Sequence, residues 1–180
     1  MKNKLLKIFI VCFIVGTVFI PSVKAQDEDN ESPALKAAME LSFKGKKEQA
    51  IQDIKNIIQQ DGQNIQAHTC LGLIYFKNRQ YDNALEEFTT VVTIKKESPM
   101  AYYFMGLIYE EKAEHISNGA ARILKTKALE AWQNYLDSTE KTPLKSVKEH
   151  QNIGITRKES TERAKKHIAV LKGEIGYENN

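Results

Sequence analysis

Gly72-Leu73-Ile74-Tyr75 returns unchanged as Gly106-Leu107-Ile108-Tyr109, at an interval of 34 residues. The same interval relates Ala67 to Ala101, Leu71 to Met105, Ala50 to Ala84 and Ala38 to Gly72, so one unit is repeated along the chain. Within a unit the apolar positions fall at steps of three and four: Leu71, Gly72 and Tyr75 in one segment, then Ala84, Leu85, Phe88, Val91 and Val92 in the next. That spacing places them on one face of a helix. Each unit is therefore expected to be a helical hairpin. Lys44-Gly45-Lys46, Lys77-Asn78-Arg79 and Ser117-Asn118-Gly119 supply the turns, where glycine or asparagine is expected in the left-handed conformation that ends a helix.

Moving outward, the second segments align in three copies. Ala50, Ile51, Ile54, Ile57 and Ile58 match Ala84, Leu85, Phe88, Val91 and Val92, and then Ala128, Leu129, Trp132, Tyr135 and Leu136. The last set is displaced by 44 residues, so ten residues have been added at about 112–127. Ala121 and Leu124 continue the apolar stripe through this insertion, which predicts that both helices of the third hairpin are lengthened and that it protrudes. Gly72 and Gly106 sit inside helices, where glycine costs about 1 kcal/mol relative to alanine. Close approach of the paired helix is the expected reason: Phe88 and Trp132 can fill the vacant space, each burial contributing roughly 1.5–3 kcal/mol.

Hairpins of 34 residues with a small residue, an aromatic, a second small residue and a bulky residue at these spacings resemble the tetratricopeptide-repeat (TPR) family, over about Glu31 to Pro143. The chain departs from the pattern in the third-hairpin insertion, in Ala38 where the family has glycine, and in a weakly conforming first repeat. The resemblance implies an all-α fold: an α-solenoid of three TPR helical hairpins over residues 33–140, followed by a capping helix. It also implies a protein-binding role, in which one face of the first helices lines a concave groove for an extended peptide or a helix.

At about 100° per residue the first helices have three faces. His68, Leu71, Gly72 and Tyr75 point at the partner helix. Cys70 and Ile74 lie on a second face, with counterparts Phe104 and Ile108 in the third unit but Lys36 and Glu40 in the first. A first repeat has no predecessor to pack on, so Lys36 and Glu40 read as a wet N-terminal cap, paired at i and i+4, and Cys70 as a buried, inert thiol between hairpins one and two. The third face carries Leu35, Met39 and Phe43, then Thr69, Leu73, Phe76 and Lys77, then Tyr103, Leu107, Glu110 and Glu111. In the resembled family this is the partner-binding face. Leu73 and Leu107 read equally well as packing between neighbouring helices, whereas Phe43, Phe76 and Tyr103 on an outward stripe would expose apolar area without a ligand. Leu35 and Met39 stand where a clamp for a C-terminal carboxylate would need lysine or asparagine, so that specialisation is not expected.

The ends read differently. Lys2, Lys4 and Lys7 precede an uncharged run from Ile8 to Ile20, and Val23 and Ala25 offer the small residues a signal peptidase accepts. Residues 1–25 are expected to be a cleaved signal peptide, the run being shorter than the roughly 20 residues of a spanning helix; an uncleaved anchor is the alternative. Export then places the chain in a periplasm or outside the cell, as an envelope-complex component or a secreted protein. Cys12 lacks the small residue before it that lipoprotein processing uses. Cleavage removes four of the 26 basic residues and none of the 23 acidic ones, leaving 22 against 23 and no electrostatic case for nucleic acid. It also leaves Cys70 as the one cysteine, so no intramolecular disulfide is available. Residues 26–32 read as an acidic disordered linker and 141–156 as a second linker. Residues 157–175 read as a capping helix, with Ala164, Ile168 and Leu171 on its dry stripe and Lys165, Lys166 and Lys172 opposite; the tail from Gly176 to Asn180 is expected to be disordered.

Chemistry is poorly provided for. His68, His115, His150 and His167 share no metal-ligand spacing, and the sequence has no glycine-rich phosphate loop, exposed-serine elbow or cysteine pair. Glu110, Glu111 and Glu114 on one helix read as a solvated face. No catalytic residue, metal or cofactor is expected. The leading expectation is an exported adaptor that binds a peptide or helix of another protein; the alternative is a structural assembly subunit that docks through its extended third hairpin.

Overall fold

The computed structural model describes residues 32–117, 119–142 and 156–176, and these form seven α-helices: α1 Pro33–Phe43, α2 Lys47–Gln60, α3 Ile65–Lys77, α4 Tyr81–Ile94, α5 Pro99–Glu114, α6 Gly119–Lys141 and α7 Arg157–Ile175. The expected signal segment, the acidic stretch up to residue 31, residues 143–155 of the second linker, His150 and the tail beyond Gly176 lie outside the described residues. Proline opens α1 and α5 at the first turn, where its missing N–H is no loss. Asn64 caps α3 by accepting a hydrogen bond from the Ala67 amide at 2.9 Å. Thr156 and Glu159 close a reciprocal capping box at the start of α7, which holds the Glu159 carboxyl below its usual range through the Thr156 backbone amide. Gly176, expected in a disordered tail, instead caps α7 in the left-handed conformation.

The turns follow repeat register and not residue preference. Gly45 has φ +80°. Its counterpart 34 residues on is Arg79, and Arg79 takes the left-handed conformation, φ +58°, while Asn78, expected there, keeps φ −90° and donates its side-chain amide to the Ile74 carbonyl at 2.8 Å. A Cβ in that region costs about 1–2 kcal/mol. In the third turn Gly119 begins α6. The Lys36–Glu40 pair expected on α1 does not form; Glu40 meets Lys44 at 3.9 Å, and Lys36 and Glu40 are both exposed.

Helices pair as α1 with α2, α3 with α4 and α5 with α6, and each hairpin packs on the next through α2 and α3, α4 and α5, and α6 and α7. The first helices also touch, α1 to α3 and α3 to α5. This is an all-α helical repeat solenoid. A Cβ on Gly72 would lie 2.8 Å from the Phe88 ring, and one on Gly106 would lie 2.7 Å from the Trp132 indole. Both rings are fully buried. Where the first unit has Ala38, the residue in register with Phe88 is the smaller Ile54, and both are buried, so one extra methyl fits. The insertion gives α5 16 residues and α6 23, against 13 and 14 in α3 and α4.

The last helix continues the stacking. Phe88 stacks on Phe104 of the next hairpin with centroids 5.5 Å apart and planes 11° from parallel, and Trp132 stacks on His167 of α7 at 4.7 Å and 19°. Ala164, His167 and Leu171 repeat the spacing of Ala101, Phe104 and Ile108. α7 thus docks as the first helix of a further unit, and Tyr135 ties it down by donating to the buried Ser160 hydroxyl at 2.7 Å.

Two substitutions test this account. Gly106→Ala forces a methyl against an indole that has nowhere to move and lowers stability by about 1–3 kcal/mol in denaturant unfolding, a loss that shrinks when Trp132 is also replaced by leucine. Arg79→Gly relieves the left-handed backbone and raises stability by up to about 1 kcal/mol.

Candidate partner-binding face

The face expected to hold a partner is built from α1, α3 and α5, and its eleven expected residues do not share one fate. Phe43, at the end of α1, is 69% exposed, and the Lys77 ammonium sits 4.4 Å from its ring centroid. Lys77 itself is exposed. An amphipathic side chain laid on an aromatic face gains about 0.5–1 kcal/mol at an exposed site and keeps the ring in place. Met39, Thr69, Leu73 and Leu107 are half-buried and lie between these exposed groups and the core. The Thr69 hydroxyl donates to the Ile65 carbonyl at 2.7 Å, which turns its methyl outward from the helix backbone.

Phe76 is half-buried. Its ring meets Phe104 edge-on at 5.0 Å and Tyr81 at 6.1 Å, so much of it braces α3 against α4 and α5. Glu111 is also half-buried, beside Tyr81; burial, and then the Glu111 carboxylate, push the Tyr81 phenol above its ordinary value, with Arg79 opposing.

Three of the expected contacts are withdrawn from this surface. Leu35 is fully buried in the core, because α3 covers that side of α1. Tyr103 is 3% exposed, packed edge-on against Phe104, Trp132 and Tyr135 at 5.6, 5.2 and 5.6 Å, and its hydroxyl accepts from Arg163 of α7 at 3.1 Å. Glu110 accepts from the Trp132 indole N–H at 2.8 Å and meets His167 Nδ1 at 2.7 Å. A part-buried carboxylate needs such partners, since burying a charge without them is costly. The chain therefore closes the third-hairpin end of the face with its own last helix. Arg163 and His167 are the residues that do it. Sequence reading assigns neither, although the match of Ala164, His167 and Leu171 to Ala101, Phe104 and Ile108 carries the signal.

The remaining polar core residues are structural. His68 is buried, with Nδ1 2.7 Å from Glu87 and Nε2 3.2 Å from the Gly62 carbonyl, so both ring nitrogens hold α3 to α4 and to the preceding loop. Cys70 is 7% exposed. Among the described residues no group of three or more His, Cys, Asp or Glu side chains could hold a metal ion, and no helix is long and apolar enough to cross a membrane.

Comparison with known proteins agrees with this architecture. The tetratricopeptide repeat family model matches residues 65–98, which run from the start of α3 to the residue before α5. A thermophilic TPR protein of Thermus thermophilus, TTC0263, is similar in fold, with a TM-score of 0.54 at 16% identity over 79% of this chain and 75% of its own. MamA (41-end) from Desulfovibrio magneticus RS-1 gives a TM-score of 0.49 at 23% identity, covering 80% of this chain and 74% of its own. No curated protein matches the chain in sequence. The matched unit and the likeness to TTC0263 support the TPR repeat as the building block of the solenoid.

Trp132 is the one tryptophan of the chain and lies under His167. His167→Ala removes both its cover and the Glu110 contact, so the indole emission shifts to the red before global unfolding, with about 1–3 kcal/mol lost from the docking of α7.

Proposed function

We propose that this chain is a non-enzymatic protein–protein interaction module, an exported adaptor that holds a peptide or helix of a partner protein on the face of its first helices. The observation that carries the reading is Phe43: a large aromatic side chain 69% exposed, pinned by Lys77 and not folded away. A monomer gains nothing from such an arrangement, whereas a partner that covers the ring recovers about 1.5–3 kcal/mol of apolar burial. The half-buried side chains of Met39, Leu73 and Leu107 extend apolar area along the same face, and Lys77 and Glu111 give it charged edges of opposite sign. The match of residues 65–98 to the TPR model supports the same role, because repeats of this type serve as interaction scaffolds and no catalytic family is indicated.

The proposed face is narrower than the one read from the sequence. It runs over hairpins one and two and reaches Leu107 and Glu111, but ends where α7 takes Tyr103 and Glu110. The basic, apolar and small-residue order of Lys2 to Ala25 supports export, and with it a place in an envelope complex or outside the cell.

Photo-crosslinking tests this reading. A photoreactive residue at position 43 or 73 is expected to join a partner polypeptide in the native compartment, while the same residue at the exposed position Gln52 on α2 gives none. Phe43→Ala weakens that partner's binding by about tenfold or more, consistent with the lost burial, and leaves the unfolding midpoint within about 0.5 kcal/mol of the wild type. Equal crosslinking from all three positions sinks the assignment.

A further inference from the structure

The tip of the third hairpin is a separate surface. Among the described residues four large apolar side chains are exposed, Phe43, Ile116, Ile123 and Val170, and two of them, Ile116 at 40% and Ile123 at 60%, belong to the inserted stretch. Ile116 lies in the connection after α5 and Ile123 in the second turn of α6. Acidic residues number 23 in the 180-residue chain, yet none occurs from residue 115 to 129, where Arg122, Lys125 and Lys127 all fall. Arg122 and Lys127 are exposed. Lys125 meets Glu174 of α7 at 3.1 Å, so this acid is already neutralised and the end of α7 braces the base of the extension. Glu111, the acid nearest on the α5 side, lies 3.6 Å from His115. Glu114 and Glu130 bound the stretch without entering it.

From this we propose that the third-hairpin tip docks on an anionic lipid surface, with Ile123 and Ile116 entering the headgroup region and Arg122 and Lys127 facing lipid phosphates. The shape argues for a membrane over a protein groove. A projecting, convex end offers two isolated isoleucines and no cavity, and small Gly119 and Ala120 beside them let the first turn of α6 approach a flat surface closely. Apolar side chains that insert shallowly beside cations, with acids excluded, are the pattern of interfacial binding, and each basic residue near an anionic surface adds about fivefold to the partition. The insertion accounts for the geometry: it lengthens α5 and α6 past their counterparts and so carries these residues away from the stacked core. Binding through the tip leaves the face of α1 and α3 free, and it holds whether or not that face takes a partner.

The test is co-sedimentation of the full chain with vesicles of phosphatidylcholine, with and without phosphatidylglycerol. The apolar run at Ile8 to Ile20 is common to every variant, so differences between variants report on the tip. Arg122→Glu with Lys127→Glu is expected to weaken partition onto phosphatidylglycerol vesicles by at least about tenfold, Ile116→Asp with Ile123→Asp to weaken it comparably, and added salt to reproduce the charge effect. Ile123→Trp adds an emission that shifts to the blue on phosphatidylglycerol vesicles alone. All four side chains substituted are exposed, and unchanged thermal unfolding confirms that the variants fold. Equal partition of wild type and variants, partition indifferent to phosphatidylglycerol, or an unshifted emission from the Ile123→Trp variant overturns the proposal. So do charge variants that lose binding to an acidic polypeptide such as polyglutamate while vesicle partition stays intact, which makes the tip a protein contact.

Discussion

The contact between a helix backbone and an aromatic ring governs this structure. Gly72 and Gly106 carry no side chain, and the rings of Phe88 and Trp132 occupy the space so closely that even a methyl group would overlap them. That contact fixes the separation of paired helices in the second and third hairpins. It is passed on, because Phe88 stacks on Phe104 and Trp132 on His167, so every ring that locks a hairpin is also the surface on which the next element lands. Burial of such rings contributes most of the apolar stabilisation available to a small helical domain, and their edge-to-face and stacked geometries add specificity to it.

The same column of rings decides how much outer surface is left for function. Tyr103 belongs to it through Trp132 and Tyr135, and is thereby lost to any partner. Glu110 lies at the edge of the column, where a carboxylate must be paired, and the indole N–H and His167 pair it. Hairpin one has no such obligation. Its Phe43 has Lys77 for company and is otherwise open to solvent. The face is thus closed at one end by the fold's own termination and open at the other.

Two surfaces result, on different elements. The open face uses the first helices of the stacked core, where a rigid scaffold sets the spacing of anchors. The third-hairpin tip uses residues that the repeat does not need, beyond the length at which α5 and α6 must pair. Residues freed from packing can take on a composition of their own, and here that composition is apolar, basic and without acids.

By itself the sequence determined the period, the helical hairpins, the need for glycine opposite Phe88 and Trp132, and the helical stripe of α7, because these depend on spacing along one chain and on the size of a side chain. The left-handed turn residue was legible as a position, 34 residues past Gly45, but not as the residue type Asn78 favoured, since chain closure imposes the conformation on whichever residue stands there. Only the tertiary structure decided that Leu35, Tyr103 and Glu110 face inward while Phe43 faces out. A helical wheel gives the direction of a side chain relative to its own axis, and burial is set by what lies on the other side: α3 over Leu35, and the far end of the chain, through Arg163 and His167, over Tyr103 and Glu110.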